Sequence, residues 1–337
     1  MKDLAAQVLD GSRLALARLL TQIENESAAG RAALDILFAH TGRAHLIGIT
    51  GSPGTGKSSL VNQLARAYRN PPGGEPPRTV AIVAVDPSSP FTGGALLGDR
   101  VRMRDLAGDP GVFIRSMASR GALGGLARAT ATAVQALDAA GFDLVMIETV
   151  GAGQSEVEIA SLAHTTLVVE APGMGDDIQA IKAGILEIAD IIVINKADRP
   201  GAENAERTLR AMIELGRPRR GNHHADIRGS DSPDWLPPVV MTVATQAEGI
   251  PVLLENVEQH ARYLRESGQR QVRDRARLQA ELQALIQHQL LSRWQAEIPS
   301  GALEAVLDEL SARRLSPYQA LSALLDRQPD PSIERNS

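Results

Sequence analysis

The sequence predicts a doubly wound α/β domain on a mostly parallel sheet, with helical segments added at both ends. Two observations carry that expectation. Seven short apolar runs, at 46–50, 79–85, 112–116, 143–148, 165–170, 190–195 and 239–243, alternate with helical stretches. They are continuous and β-branched, as strands covered on both faces must be. The first also runs straight into a glycine-rich turn and then a helix beginning at Lys57, the strand–turn–helix order of doubly wound sheets.

The first 42 residues read as two helices. In one, Leu16, Leu19, Leu20 and Ile23 recur at helical spacing behind Ser12, a good N-cap. The other takes Asn25 as its N-cap, runs to about His40 and stops at Gly42. Residues 43–265 then form the α/β domain. Two of its connections, the Pro- and Gly-rich 70–78 and the polar 217–235, are expected at the surface. From Pro251 the pattern is helical to the end, with 266–327 a helical arm and 328–337 a frayed tail. Leu278, Leu282, Leu285, Ile286 and Leu290 form one apolar face of that arm. Leu303, Val306, Leu307 and Leu310 form another. One layer covering a sheet cannot hide such faces, so a two-fold homodimer is expected.

Composition narrows the function. Of 337 residues, 43% are hydrophobic but only 3% aromatic, which leaves the core to Ala, Leu, Val and Ile. Lys and Arg number 35 against 40 Asp and Glu, a net charge of −5, without the basic face that nucleic-acid binding needs. The chain has no cysteine, which excludes disulfides, thiolate zinc, iron–sulfur clusters and cysteine nucleophiles. Asp3 and Asp10 interrupt the stretch where a signal peptide needs apolar residues. No run approaches the ~18 apolar residues of a membrane span. A cytoplasmic protein with neither nucleic acid nor membrane as partner is expected.

Gly51-Ser52-Pro53-Gly54-Thr55-Gly56-Lys57-Ser58, with Ser59 next in the helix, fits GxxxxGK[ST] in the context that motif requires. Its glycines let backbone N–H groups turn toward phosphates. Lys57 neutralises the β- and γ-phosphates, and the Ser58 hydroxyl is placed to ligate Mg²⁺. Asn195-Lys196-Ala197-Asp198 follows the sixth apolar run. A carboxylate at Asp198 accepts two hydrogen bonds from guanine, whereas adenine offers it an acceptor and no amine. GTP and its product GDP are the expected nucleotides.

Glu148 ends the fourth run and precedes Val150-Gly151-Ala152-Gly153-Gln154 after Thr149. Facing a P-loop, that carboxylate holds Mg²⁺ through water and Gly151 presents its N–H to the γ-phosphate; otherwise Glu148 is a solvated strand end. Ala152 stands where many GTPases place a glutamine that orients water, and an alanine orients none. Gln154 is three residues past Gly151, and whether it reaches depends on the turn. Slow hydrolysis, completed by a partner, follows. Asp86 and Asp99 bracket a Gly- and Ser-rich segment, and either carboxylate is in a position to approach Mg²⁺. Asp99 serves equally as an N-cap for the run after it. A third glycine-rich turn, 171–177, leads to a helical stretch where Gln179 and Lys182 share a face. Arg115 and Arg120 belong to a cationic, glycine-rich stretch that faces a partner, faces the switches or is plain surface. His223-His224 has no third ligand nearby in sequence.

With these motifs in order, the chain resembles the MeaB/ArgK family of P-loop GTPases over roughly residues 10–330. The segments DPSSPFTGGALLGDR, FIRSMASRG, ETVGAGQSE and PGMGDDIQAIKAGI carry the resemblance beyond a generic P-loop. It implies a central G domain, an N-terminal helical extension and a C-terminal helical dimerisation arm. The implied function is a GTP-driven chaperone of adenosylcobalamin-dependent acyl-CoA mutases such as methylmalonyl-CoA mutase. Asn195, Lys196 and Asp198 would then meet guanine, and Asp86, Asp99 and Glu148 would join Ser58 around Mg²⁺. Gln179 and Lys182 would be polar reporters of an extra switch. One departure is Val243-Ala244-Thr245, where many GTPases have a Ser-Ala-like turn, leaving only a backbone N–H for guanine. The competing readings are an ArgK-like transport-associated kinase using ATP and a nickel or cobalt metallochaperone GTPase. Asp198 argues against the first, and the lack of cysteine against the second.

Overall fold

The computed structural model describes residues 2–71, 73–87, 103–106, 108–119, 125–149, 155–173, 187–215 and 235–325. The apolar runs become β1 (His45–Thr50), β2 (Val80–Pro87), β3 (Val112–Ser119), β4 (Leu144–Thr149), β5 (Thr165–Glu170), β6 (Ile191–Asn195) and β7 (Val239–Thr242). They make one sheet in the order β3-β2-β4-β1-β5-β6-β7, every pairing parallel. All residues of β1 and β4 are buried, which is why their runs show no polar alternation.

Helices cover both faces. On one face Ile47 and Ile49 pack with Leu60, Val61 and Leu64 of α4 (Lys57–Arg69). On the other, Leu46, Val145 and Ile147 meet α5 (Gly125–Ala139) and α6 (Ser155–Leu162). Gly48 faces α6: a Cβ there would sit 2.6 Å from Ile159 Cγ2 and 3.0 Å from Ala163 Cβ. A bare backbone at this point lets α6 lie close on β1. Beyond β6, α7 (Ala202–Leu215) packs on the β6–β7 edge through Leu209.

The N-terminal extension holds three helices, not the two expected. They are α1 (Lys2–Leu9), α2 (Arg13–Glu24) and α3 (Ala28–Leu37), followed by a 3₁₀ turn at Phe38–His40. Ser12 caps α2 as expected, accepting from the Ala15 N–H at 3.3 Å. Asn25 caps no helix start; it ends α2. Glu26 adopts a left-handed φ of 51° that reverses the chain. Ser27 then caps α3, its hydroxyl accepting from the Gly30 N–H at 2.9 Å, an arrangement worth about 1 kcal/mol. Ala5, Val8, Leu16, Leu19, Leu20 and Leu37 join the apolar layer over α5.

After β7, α8 (Ile250–Glu266) buries Leu253 and Val257 beside α4. The chain then divides into two compact units, Met1–Leu278 and Gln279–Ser337, with the division inside α9 (Gln269–Glu297). That helix buries none of its residues; Leu282 is 58% and Leu290 61% exposed. α10 (Ala302–Ser311) and α11 (Pro317–Leu325) follow in the second unit. Among the described residues, no helix is long and apolar enough to cross a membrane. The expected surface segment 217–235, apart from Trp235, and the tail 328–337 lie outside the described residues.

Candidate functional site

Because every strand is parallel, all seven carboxyl ends share one edge, and the P-loop leaves β1 at its middle, between β4 and β5. Gly51 has a φ of 130°, and a Cβ on it would lie 2.1 Å from the Val169 carbonyl oxygen. Only glycine fits this close passage of the loop over β5. The Thr55 hydroxyl donates to the Ser52 carbonyl at 3.0 Å and closes the turn. Gly56 stands at the N-cap of α4 in the left-handed region, with no side-chain cap over the helix's first N–H groups. The N-terminus of a helix, with its N–H groups pointing outward, favours an anion.

Lys57 Nζ donates to the carbonyls of Gly51 (2.7 Å) and Ser52 (3.0 Å), which curls its cation back over the loop. The Ser58 hydroxyl donates to Glu148 Oε1 at 2.6 Å, and both side chains are buried. The register explains the meeting: Glu148 lies opposite Ile49 on β1, and Ser58 is in the first turn of the helix above. A hydroxyl and a carboxylate side by side are hard oxygen donors, and Mg²⁺ needs few protein ligands when phosphate and water supply the rest. The donor set therefore fits Mg²⁺. Asp86 lies on the same edge, one residue beyond the Val85–Thr149 pair of β2 and β4. Asp99, Gly151, Gln154, Gln179 and Lys182 lie outside the described residues, as do Arg120 and His223-His224.

Asn195 ends β6, and its side-chain amide donates through Nδ2 to the Thr55 carbonyl at 2.7 Å. Its Oδ1 accepts from the Thr242 hydroxyl (3.2 Å) and the Ala244 N–H (3.0 Å), which fixes the amide's orientation. A Cβ on Gly56 would sit 2.4 Å from that Nδ2, so the same side chain demands glycine in the P-loop. Lys196, with a left-handed φ of 59°, donates from Nζ to the Gly54 carbonyl at 2.6 Å. Asp198 follows on an exposed turn. Val243 and Ala244 are buried while Thr245 is exposed on a 3₁₀ turn at Ala244–Gln246. Within this turn, from which a backbone N–H is expected to meet guanine, the Ala244 N–H is taken by Asn195 Oδ1.

Arg115 sits on β3 and forms a bidentate pair with Glu24 at the end of α2 (2.9 and 2.7 Å). The expected readings of this stretch, contact with a partner or with the switches or plain surface, did not include a guanidinium that fastens the extension to the sheet. Sequence reasoning passed over Thr242, and it named Thr55 in the P-loop without its bond to Asn195, which comes from tertiary contact alone.

A family model described as Methylmalonyl Co-A mutase-associated GTPase MeaB matches residues 16–298. A Pyrococcus abyssi protein with GTPase in its name is 42% identical over 323 residues, covering 96% of this chain and 95% of that one. Escherichia coli GTPase ArgK is 37% identical over 244 residues, 71% and 70% of the two chains. A crystal structure named as a LAO/AO transport system kinase superposes with a TM-score of 0.68 at 26% identity, covering 96% of each chain. A P-loop bolted to an Asn-Lys-Ala-Asp turn, and a match spanning the sheet, the extension from Leu16 onward and all of α9, place this chain in the family of methylmalonyl Co-A mutase-associated GTPases, MeaB.

Proposed function

We propose that this GTPase is a chaperone for an adenosylcobalamin-dependent acyl-CoA mutase of the methylmalonyl-CoA mutase type. It gates cofactor loading and protects or reactivates the mutase, with GTP hydrolysis as the switch. The family's name supports the mutase association. The guanine assignment rests on one observation, the Asn195–Thr55 bond that holds the Asp198 turn against the P-loop.

In this reading Gly51 to Ser59 cradle the phosphates through backbone N–H groups, and Lys57 neutralises them. Ser58, Glu148, Asp86 and Asp99 would hold Mg²⁺, which when bound would offset phosphate charge. Gly151 offers its N–H to the γ-phosphate, and Gln154 is the amide nearest in sequence to the attacking water. Ala152 orients nothing, so turnover is slow until the mutase docks on the turn carrying Gln179 and Lys182. Two copies associate through the leucine stripe of α9, and the protein acts in the cytoplasm. The competing transport-kinase reading draws on the name of the structural neighbour. It requires ATP, and adenine leaves the Asp198 carboxylate without its amine partner.

The test is GTP turnover with and without the mutase, for wild type and Lys182→Ala. Wild-type stimulation is expected, with the ratio of stimulated to intrinsic rate falling toward one in the variant. A mutase that leaves wild-type turnover unchanged sinks the chaperone reading.

A further inference from the structure

The amino ends of β1, β5 and β6 converge on the first turns of α9, at the sheet edge opposite the P-loop. Arg270 Nη2 donates to the carbonyls of Gly42, Arg43 and Ala44, just before β1, at 3.2, 3.3 and 3.0 Å. Asp138 of α5, buried, takes the N–H groups of the same three residues at 2.6, 3.0 and 2.8 Å. Arg273 donates to the carbonyl of His164, the residue before β5, at 2.6 Å. It also grips both oxygens of Asp190, the residue before β6, at 2.8 and 2.7 Å. Asp274 accepts from His164 Nε2 at 2.9 Å.

Buried histidines finish the junction. His164 Nδ1 accepts the Leu46 N–H of β1 at 3.0 Å, so its proton sits on Nε2 and goes to Asp274. His45 Nε2 and His260 Nδ1 each lie 2.8 Å from the Thr165 hydroxyl. His260 Nε2 faces Asp190 Oδ1 at 3.3 Å. That contact is an electrostatic approach without hydrogen-bond geometry, and a carboxylate favours a proton on the nitrogen it faces. With the proton on His260 Nε2, Thr165 donates to His260 Nδ1 and accepts from His45 Nε2.

The strands gripped here are the ones whose far ends open into the P-loop (β1), the 171–177 turn (β5) and the Asn-Lys-Ala-Asp turn (β6). At that far edge β1 and β6 are tied by the Asn195–Thr55 bond. Each strand is five or six buried residues in a close-packed layer, so an axial slip at one end moves the other end equally. We propose that the root of α9 is a coupling element. By fixing the axial offset of β1, β5 and β6, it sets the distance between the phosphate turn and the guanine turn. Nucleotide occupancy and the seating of α9 are thereby linked, and the linkage is reciprocal. This inference rests on the nucleotide reading of the site.

The experiment uses the full chain. Fluorescent GDP release is timed in wild type and in Arg270→Met, a substitution that leaves the carbonyls of Gly42 and Arg43 to water at the surface. Hydrogen exchange of segments 42–46 and 269–277 is followed in wild type with and without GDP. Release about 5-fold faster or more in the variant is expected, with a cooperative melt retained. Slower exchange of both segments on GDP binding is expected in wild type. A folded variant with wild-type release overturns the coupling, and so does exchange at 269–277 that ignores GDP. Should Arg270→Met fail to fold, the wild-type exchange decides alone. Wild type that binds no GDP overturns the nucleotide reading and this inference with it.

Discussion

Asn195 and Thr55, 140 residues apart in sequence, are joined by a buried 2.7 Å hydrogen bond from side-chain amide to backbone carbonyl. The bond ties the guanine turn to the phosphate turn. Asn195→Ala leaves the Thr55 carbonyl and the Ala244 N–H without their partner. Each orphaned group costs about 1–3 kcal/mol when buried. GTP affinity is expected to fall at least about tenfold. Titration with fluorescent GTP checks it, and an affinity within twofold of wild type rejects it.

Asp198 stands on an exposed turn after that anchor, free of secondary-structure duty. Asp198→Asn is expected to weaken GTP and favour xanthosine triphosphate, whose ring oxygen meets the amide donor. The melting temperature should hardly change. Equal ATP and GTP affinity in wild type would contradict the guanine assignment at its source.

Acid should loosen the junction at the root of α9. Burial holds His45 well below its usual value and lowers His164 despite Asp274 beside it. Burial also pushes His260 down to about 4. These histidines take a proton more readily when unfolded, so the unfolded chain binds more protons between about pH 4 and 6.5. Stability is full above pH 6.5 and declines as pH falls toward 4. From His260 alone the loss is on the order of 3 kcal/mol. Geometry gives the same sign, since a proton on His164 Nδ1 would face the Leu46 N–H. Urea midpoints at pH 7.5, 6 and 5 should fall in that order; a flat series contradicts the tautomers assigned above.

The stripe on α9 makes its own prediction. Leu282 and Leu290, 58% and 61% exposed, carry no load in the fold of one chain. Leu282→Glu with Leu290→Glu is expected to turn a dimer into a monomer by light scattering, with an unchanged melting profile at low protein concentration. A wild-type chain already monomeric at micromolar concentration removes the dimer from the proposal.

Much of the fold was legible because buried parallel strands leave continuous apolar runs. TTLVVE at 165–170 coincides with β5, and the other strands differ from their runs by a few residues at the ends. The N-terminal helices were less legible. Asn25 and Ser27 are both good caps, and the choice between them turned on the left-handed Glu26. In the site, the nearness of Ser58 to Glu148 follows from two motifs at neighbouring strand ends. The use of the Ala244 N–H by Asn195 does not, because only tertiary contact brings them together. His45, His164 and His260 stand far apart in sequence with no spacing signal, and only the sheet makes neighbours of them.

The grip of Arg273 on Asp190 has a consequence for synthesis. A nascent chain that has cleared β7 from the ribosome already carries all seven strands and both nucleotide motifs. It still lacks the guanidinium that closes the start of β6, which is made 83 residues after Asp190. Vectorial folding thus leaves Asp190, at the start of β6, without its guanidinium partner until α9 emerges.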